Sequence, residues 1–127
     1  IAKSLFILGQ ILGNKKYMDT SNQMLNNIKN DIDKYGPGYS NWASVMLYNI
    51  YPFYELAIMG ENAEKIQTDL LKNYLPNKII IGSRKKSKLE ILKNKFVKGT
   101  TMIYVCENGT CQQPTKNIDD ALLQIIY

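Results

Sequence analysis

The chain has 127 residues, of which 45% are apolar, and a net charge of +5 from 16 cations and 11 acids. That is enough for one domain with a real core and too little for two large ones, and the apolar content excludes a disordered chain. No apolar run reaches the roughly 18 residues of a membrane helix, and two cysteines with no histidine cannot complete a four-ligand zinc site in one chain or supply an imidazole base.

The first 50 residues read as helical. Ile1, Leu5, Leu8 and Leu12 recur at one-face spacing. Gly13-Asn14 breaks that pattern, and a second helix follows with Tyr17, Met24, Leu25, Ile28 and Ile32 on one side. So short a link predicts an antiparallel helical hairpin. Lys34 suits the negative helix pole, and Tyr35-Gly36-Pro37-Gly38 stops the element. A third helix over 41–49 carries Trp42, Val45 and Met46 and ends near Pro52.

After Pro52 the period changes. Phe53 to Met59 is short, apolar and bounded by Pro52 and Gly60, so it reads as a buried strand. Glu61 to Leu75 reads as a helix with Ala63, Ile66, Leu70 and Tyr74 inward, Asn62 as cap and Glu64 in its first turn. Lys78 to Ile81 is a second strand. Ser87 to Phe96 is a basic helix with Leu89, Leu92 and Phe96 inward, and Thr101 to Cys106 a third strand. Asn117 caps a last helix, with Asp120 placed to reach back as in a capping box and Ala121, Leu122, Ile125 and Ile126 inward. Strand and helix alternate, which predicts an α/β fold: a βαβαβα unit on a three-stranded, mostly parallel sheet, with a C-terminal hairpin. The boundary falls near Tyr51, between a helical segment (1–50) and a small α/β unit (51–127) expected to pack against it.

The positive charge is local. Arg84, Lys85, Lys86, Lys88, Lys93, Lys95 and Lys98 face one acid, Glu90, so this window carries +6 and the rest of the chain −1. Such a patch can serve nucleic acid or an acidic partner. No aromatic residue interleaves with the cations as base-stacking modules require, which favours a solvated face over nucleic acid.

Cys106 and Cys111 flank Asn108-Gly109, the strongest short signal for a type I′ hairpin turn. With those two residues in the turn, Glu107 pairs with Thr110, and Cys106 sits opposite Cys111 at a non-hydrogen-bonded site, Cα atoms about 4.5 Å apart. Three readings stay open: reduced structural thiols, a redox-responsive disulfide, or half of a metal site shared with another chain. A bridge here closes a very short loop and adds little stability.

Several segments, taken in order, carry a family resemblance. They are Gly38-Tyr39-Ser40-Asn41-Trp42-Ala43, Glu55-Leu56-Ala57-Ile58-Met59-Gly60, Leu75-Pro76-Asn77-Lys78-Ile79-Ile80, and Tyr104-Val105-Cys106 with Cys111 and Pro114, after a helical opening of similar pattern. This order resembles the C-terminal end of the thioredoxin-domain-containing family of YyaL-type bacterial proteins and the animal spermatogenesis-associated protein. The resemblance implies a longer parent: a thioredoxin-like domain, then an (α/α) toroid related to six-hairpin glycosidases and sugar 2-epimerases. The chain would be its terminal portion, in keeping with a start at Ile1 and not at methionine. Its partners would then be the thioredoxin-like domain and the remaining toroid. The C-x4-C spacing is not the C-x-x-C of a thioredoxin site, so that activity is not carried onto Cys106 and Cys111.

Three further residues are candidates. Glu55 lies in an apolar strand and is either a partnered structural acid or an acid/base facing a carbohydrate ligand. Tyr39 and Trp42 are core anchors or stacking platforms for a sugar ring. The expectation is a cytoplasmic structural or interaction portion of a larger protein, with no cofactor and not catalytic alone. A carbohydrate-processing site in the parent and a redox-responsive module are the alternatives.

Overall fold

A computed structural model describes residues 1–34 and 36–125. Tyr35 and Ile126, invoked above in a helix stop and an apolar face, lie outside the described residues. Contacts divide the chain into two compact units, Ile1–Tyr51 and Pro52–Tyr127.

The first unit holds α1 (Ala2–Leu12), α2 (Lys15–Ile28), a 3-10 turn at Gly36–Tyr39, and α3 (Ser40–Ile50). Gly13 closes α1 in the left-handed conformation, and the Asn14 side chain accepts a hydrogen bond from the Tyr17 amide to open α2. The Ser21 hydroxyl donates to the Ala2 carbonyl at 2.8 Å, while a Cβ on Gly9 would meet the Met18 side chain at 2.5 Å. The two helices therefore run antiparallel, as a short link requires. The buried face of α1 is Ala2, Phe6 and Gly9, not the predicted row; Leu8 and Leu12 are exposed. Gly9 lets α2 approach closely, and Phe6 packs on Tyr48 of α3 with ring centroids 5.3 Å apart, so these contacts select that side over the predicted row. Leu25 and Val45 join Ala2 in the core, with Met24, Ile28, Ile32 and Trp42 packed against it.

The second unit holds β1 (Tyr54–Met59), α4 (Ala63–Leu70), β2 (Lys78–Ser83), a 3-10 turn at Glu90–Leu92, β3 (Met102–Glu107), β4 (Thr110–Cys111) and α5 (Ile118–Leu123). It is α/β, on a four-stranded sheet of order β2-β1-β3-β4. The sheet is mixed and not mostly parallel: β1 runs parallel to β2, but β3 is antiparallel to both β1 and β4. The cause lies between β2 and β3. A crossover helix is what returns a chain to the same direction, and the expected basic helix does not form. Only Glu90–Leu92 makes a 3-10 turn; Leu89 and Lys93 are extended, and Asn94 has φ 61°. Four cations before Leu89 would have opposed the helix dipole. The adjacent pair Ile91 and Leu92 is buried instead, while Leu89 is exposed.

Smaller departures have local causes. The Asn73 side-chain amide donates to the Asp69 carbonyl at 3.1 Å, where α4 is ending; the helix stops short of Leu75, and Tyr74 is exposed. Asn117 caps α5 by accepting from the Asp119 amide, but Asp120 does not close a capping box. It accepts from the Thr115 hydroxyl, and that same hydroxyl accepts from the Asn117 amide. At the end of β1, Gly60 has φ 139°, and a Cβ there would come within 2.6 Å of the Thr100 carbonyl oxygen. Only glycine lets the two backbones meet so closely.

Candidate functional site

Alternation along β1 sends its side chains to two faces. Leu56 and Ile58 join Val105 and Ile103 in a core closed by Ala63 and Leu70 of α4 and Ala121 of α5. Glu55 points the other way. It lies on a strand that is buried along its length and is itself 5% exposed. Its Cα partners are Ile79 on β2 and Cys106 on β3.

The hairpin beyond Cys106 forms as the Asn-Gly pair requires. Asn108 and Gly109 have φ 50° and 76°, the two positive values of a type I′ turn. Glu107 pairs with Thr110 and Cys106 with Cys111. The two sulfurs lie at bonding distance, with Cα atoms 3.9 Å apart. Cys106 is buried at 1% exposure, whereas Cys111 lies at the exposed edge strand. The bridge thus presents one sulfur-bearing residue to solvent and one to the interior. Among the described residues no group of three or more Cys, Asp or Glu side chains is placed to hold a metal ion.

Glu55 reaches this hairpin. The backbone amide of Gly109 and the Lys95 ammonium both act on its carboxyl and favour the ionised form. Burial pushes the Glu55 carboxyl above the ordinary carboxylate range; the Gly109 amide and Lys95 oppose that rise without cancelling it. Lys95 is half-buried and donates to the Ile91 carbonyl at 2.9 Å. Burial holds its ammonium below the usual lysine range, against the attraction of Glu55 and Glu90. Tyr104, two residues before Cys106 on the same face, has its phenol raised by burial.

The sequence candidates are therefore distributed unevenly. Glu55, Cys106, Cys111 and Lys95 come together on one face of the sheet. Arg84 pairs with Glu64 at 2.5 Å and Lys93 with Glu90 at 3.2 Å, both exposed; Lys85, Lys86 and Lys88 are exposed beside them. The cations lie on an irregular segment and not along a helix. Tyr39 and Trp42 belong to the helical unit, where Trp42 packs on its core and also lines a groove with Ile1, Lys3 and Leu8. Sequence reasoning missed that the Gly109 amide and Lys95 act on Glu55. The Asn-Gly turn locates the cysteines, but the signal for both contacts is the β1–β3 register, which a single sequence does not print.

No protein-family model, no curated protein and no solved structure matches the chain. No helix among the described residues is long and apolar enough to cross a membrane.

Proposed function

We propose that the sheet unit is a redox-responsive module whose Cys106–Cys111 bridge opens and closes by thiol–disulfide exchange. The observation that carries this reading is the asymmetry of the bridge: Cys111 exposed on an edge strand, Cys106 buried beside a buried carboxylate. An external dithiol supplies the electrons. Its thiolate attacks Cys111 Sγ, a mixed disulfide forms, the bridge S–S bond breaks, and Cys106 leaves as thiolate. The second thiol of the reductant, as thiolate, then attacks its own mixed-disulfide sulfur and releases Cys111. The reductant ends as a disulfide, and the protein gains two electrons and two protons. Opening removes the staple that holds β4 to β3. A cytoplasmic location would make such a bridge reversible and not permanent.

Equilibration of the full chain in glutathione redox buffers, followed by alkylation and mass measurement, tests this. The expected result is a reversible two-thiol mass shift within the range of intracellular poise. A bridge that stays closed down to about −300 mV would be a permanent staple, and the reading would fail.

A second reading rests on the helical unit. Leu8, Leu12, Met46, Leu47 and Ile50 are exposed. In line with the family resemblance, we propose that these helices serve as an interaction portion packing against further helices of a longer parent. A chain extended upstream that binds less of an apolar dye than this one supports it; equal binding overturns it.

A further inference from the structure

Three pieces of local geometry converge on Glu55. The β1–β3 register sets it directly opposite Cys106, and such cross-strand partners hold their Cβ atoms about 4.5–5.5 Å apart on one face. The type I′ turn places Gly109 at the hairpin tip, and its backbone amide favours the ionised form of the same carboxyl. The bridge joins Cys106 to Cys111 on that hairpin. The other titratable groups around Glu55 are Lys95 from the segment between β2 and β3, with Glu90 acting on Lys95, and Tyr104 from β3. The β2 neighbours on that face, Ile79 and Ile81, carry no charge.

Cys106 at 1% exposure cannot exchange its proton readily with bulk water. A buried thiolate left there by reduction needs an internal proton source, and a buried thiol that must attack a disulfide needs an internal acceptor. Resting on the redox reading above, we infer that the Glu55 carboxyl is the proton-exchange partner of Cys106. On reduction, protonated Glu55 delivers its proton to the Cys106 thiolate and is left as carboxylate. On reoxidation through a mixed disulfide at Cys111, Glu55 carboxylate takes the proton from the Cys106 thiol. Cys106 Sγ then bonds to Cys111 Sγ, the outer S–S bond breaks, and the small thiol leaves as thiolate with the electron pair. The Gly109 amide and Lys95 steady the ionised carboxyl, and burial favours the neutral one.

The test uses the full reduced chain and glutathione disulfide. Mixed disulfide at Cys111 is trapped by acid quench and counted by mass, and its rate of closure is followed from about pH 5 to about pH 9. The wild-type closure rate is expected to show two inflections, one from the thiol and one from a carboxyl. Glu55→Gln should close about a hundredfold more slowly near neutral pH, with the difference vanishing where the thiol ionises unaided. Glu55→Asp should recover part of the loss. A Glu55→Gln rate equal to wild type throughout overturns the proton role and leaves the redox reading standing. A wild-type chain that neither forms nor closes a mixed disulfide removes both. If the glutamine variant does not fold, the wild-type profile decides: a single inflection at the thiol overturns the inference.

Discussion

Neighbouring residues of β1 look into two different interiors. On one side Leu56 and Ile58, both fully buried, meet Ile103 and Val105 beneath α4 and α5. This face is built of aliphatic side chains with Tyr54 at its edge and is closed by regular helices. On the other side Glu55 meets Cys106, the Gly109 amide and Lys95, and the segment between β2 and β3 supplies Ile91 and Leu92 as buried anchors and no helix. The first face holds the fold. The second holds a carboxylate, a lysine and a disulfide at the expense of packing, and such groups are costly to bury unless they are paired. Their concentration on one face, away from the helix-covered core, is an observation on which the proposed redox role rests.

The largest expected effect separates the two interiors by packing. Leu56→Ala should destabilise the unit by about 3–4 kcal/mol, because helices on a fixed sheet cannot collapse into the cavity. Leu92→Ala removes the same atoms from the irregular segment, which can settle into the gap, so its cost should fall near the low end, about 2 kcal/mol. Urea unfolding of both variants checks this. Equal costs would mean that the segment is as rigid as α4 and α5, and the contrast would be lost.

Opening the bridge comes next. Cys106 and Cys111 are five residues apart in sequence, so loop-closure entropy limits the bridge to about 2 kcal/mol. Cys111→Ser should lower the unfolding free energy by that amount or less and leave far-UV circular dichroism unchanged. Global unfolding on reduction would instead make the bridge a structural requirement, contrary to a reversible role.

The parts legible in the sequence were those set by local chemistry. Asn108-Gly109 fixed the hairpin and the pairing of Cys106 with Cys111; Gly13-Asn14 fixed the α1–α2 turn; Pro52 and Gly60 bounded β1. The direction of β3 was not legible, because it depended on whether residues 87–96 formed a helix. Their apolar spacing suited one, but the cation run and the pull of two adjacent buried residues overrode it. The Glu55 site was half legible. A carboxylate in an apolar strand flagged the residue, but its neighbours came from strand register and from the path of the β2–β3 segment.

Acid–base behaviour distinguishes the faces more subtly, since the second carries the buried carboxyl of Glu55 and the ammonium of Lys95. Glu55 has its folded pKa above the unfolded one. Between those two values the unfolded chain has lost a proton that the folded chain keeps. Its contribution to stability is thus complete below the ordinary carboxylate pKa and is lost as pH rises through the raised value. Lys95, with its folded pKa lowered, acts at the alkaline end with the opposite slope: stability rises with pH there. Urea midpoints measured across pH should show the acid-side fall in the wild type and not in Glu55→Gln. The same fall in both would place the responsible carboxyl elsewhere.

The smallest effect concerns what holds the β2–β3 segment. Arg84 pairs with Glu64 on α4, but both side chains are well exposed, at 60% and 76%. Exposed pairs of this kind are worth well under about 1 kcal/mol, and salt screens them further. Ile91 and Leu92, at 3% and 2% exposure, therefore hold the segment in place, and its charges do not. Arg84→Ala should change stability by less than about 0.5 kcal/mol and leave the wild-type pH dependence of the Glu55 face intact. If it instead loosened that face enough to erase the acid-side fall, the segment would be held by its charges. The second interior would then depend on ionic strength in a way the first does not.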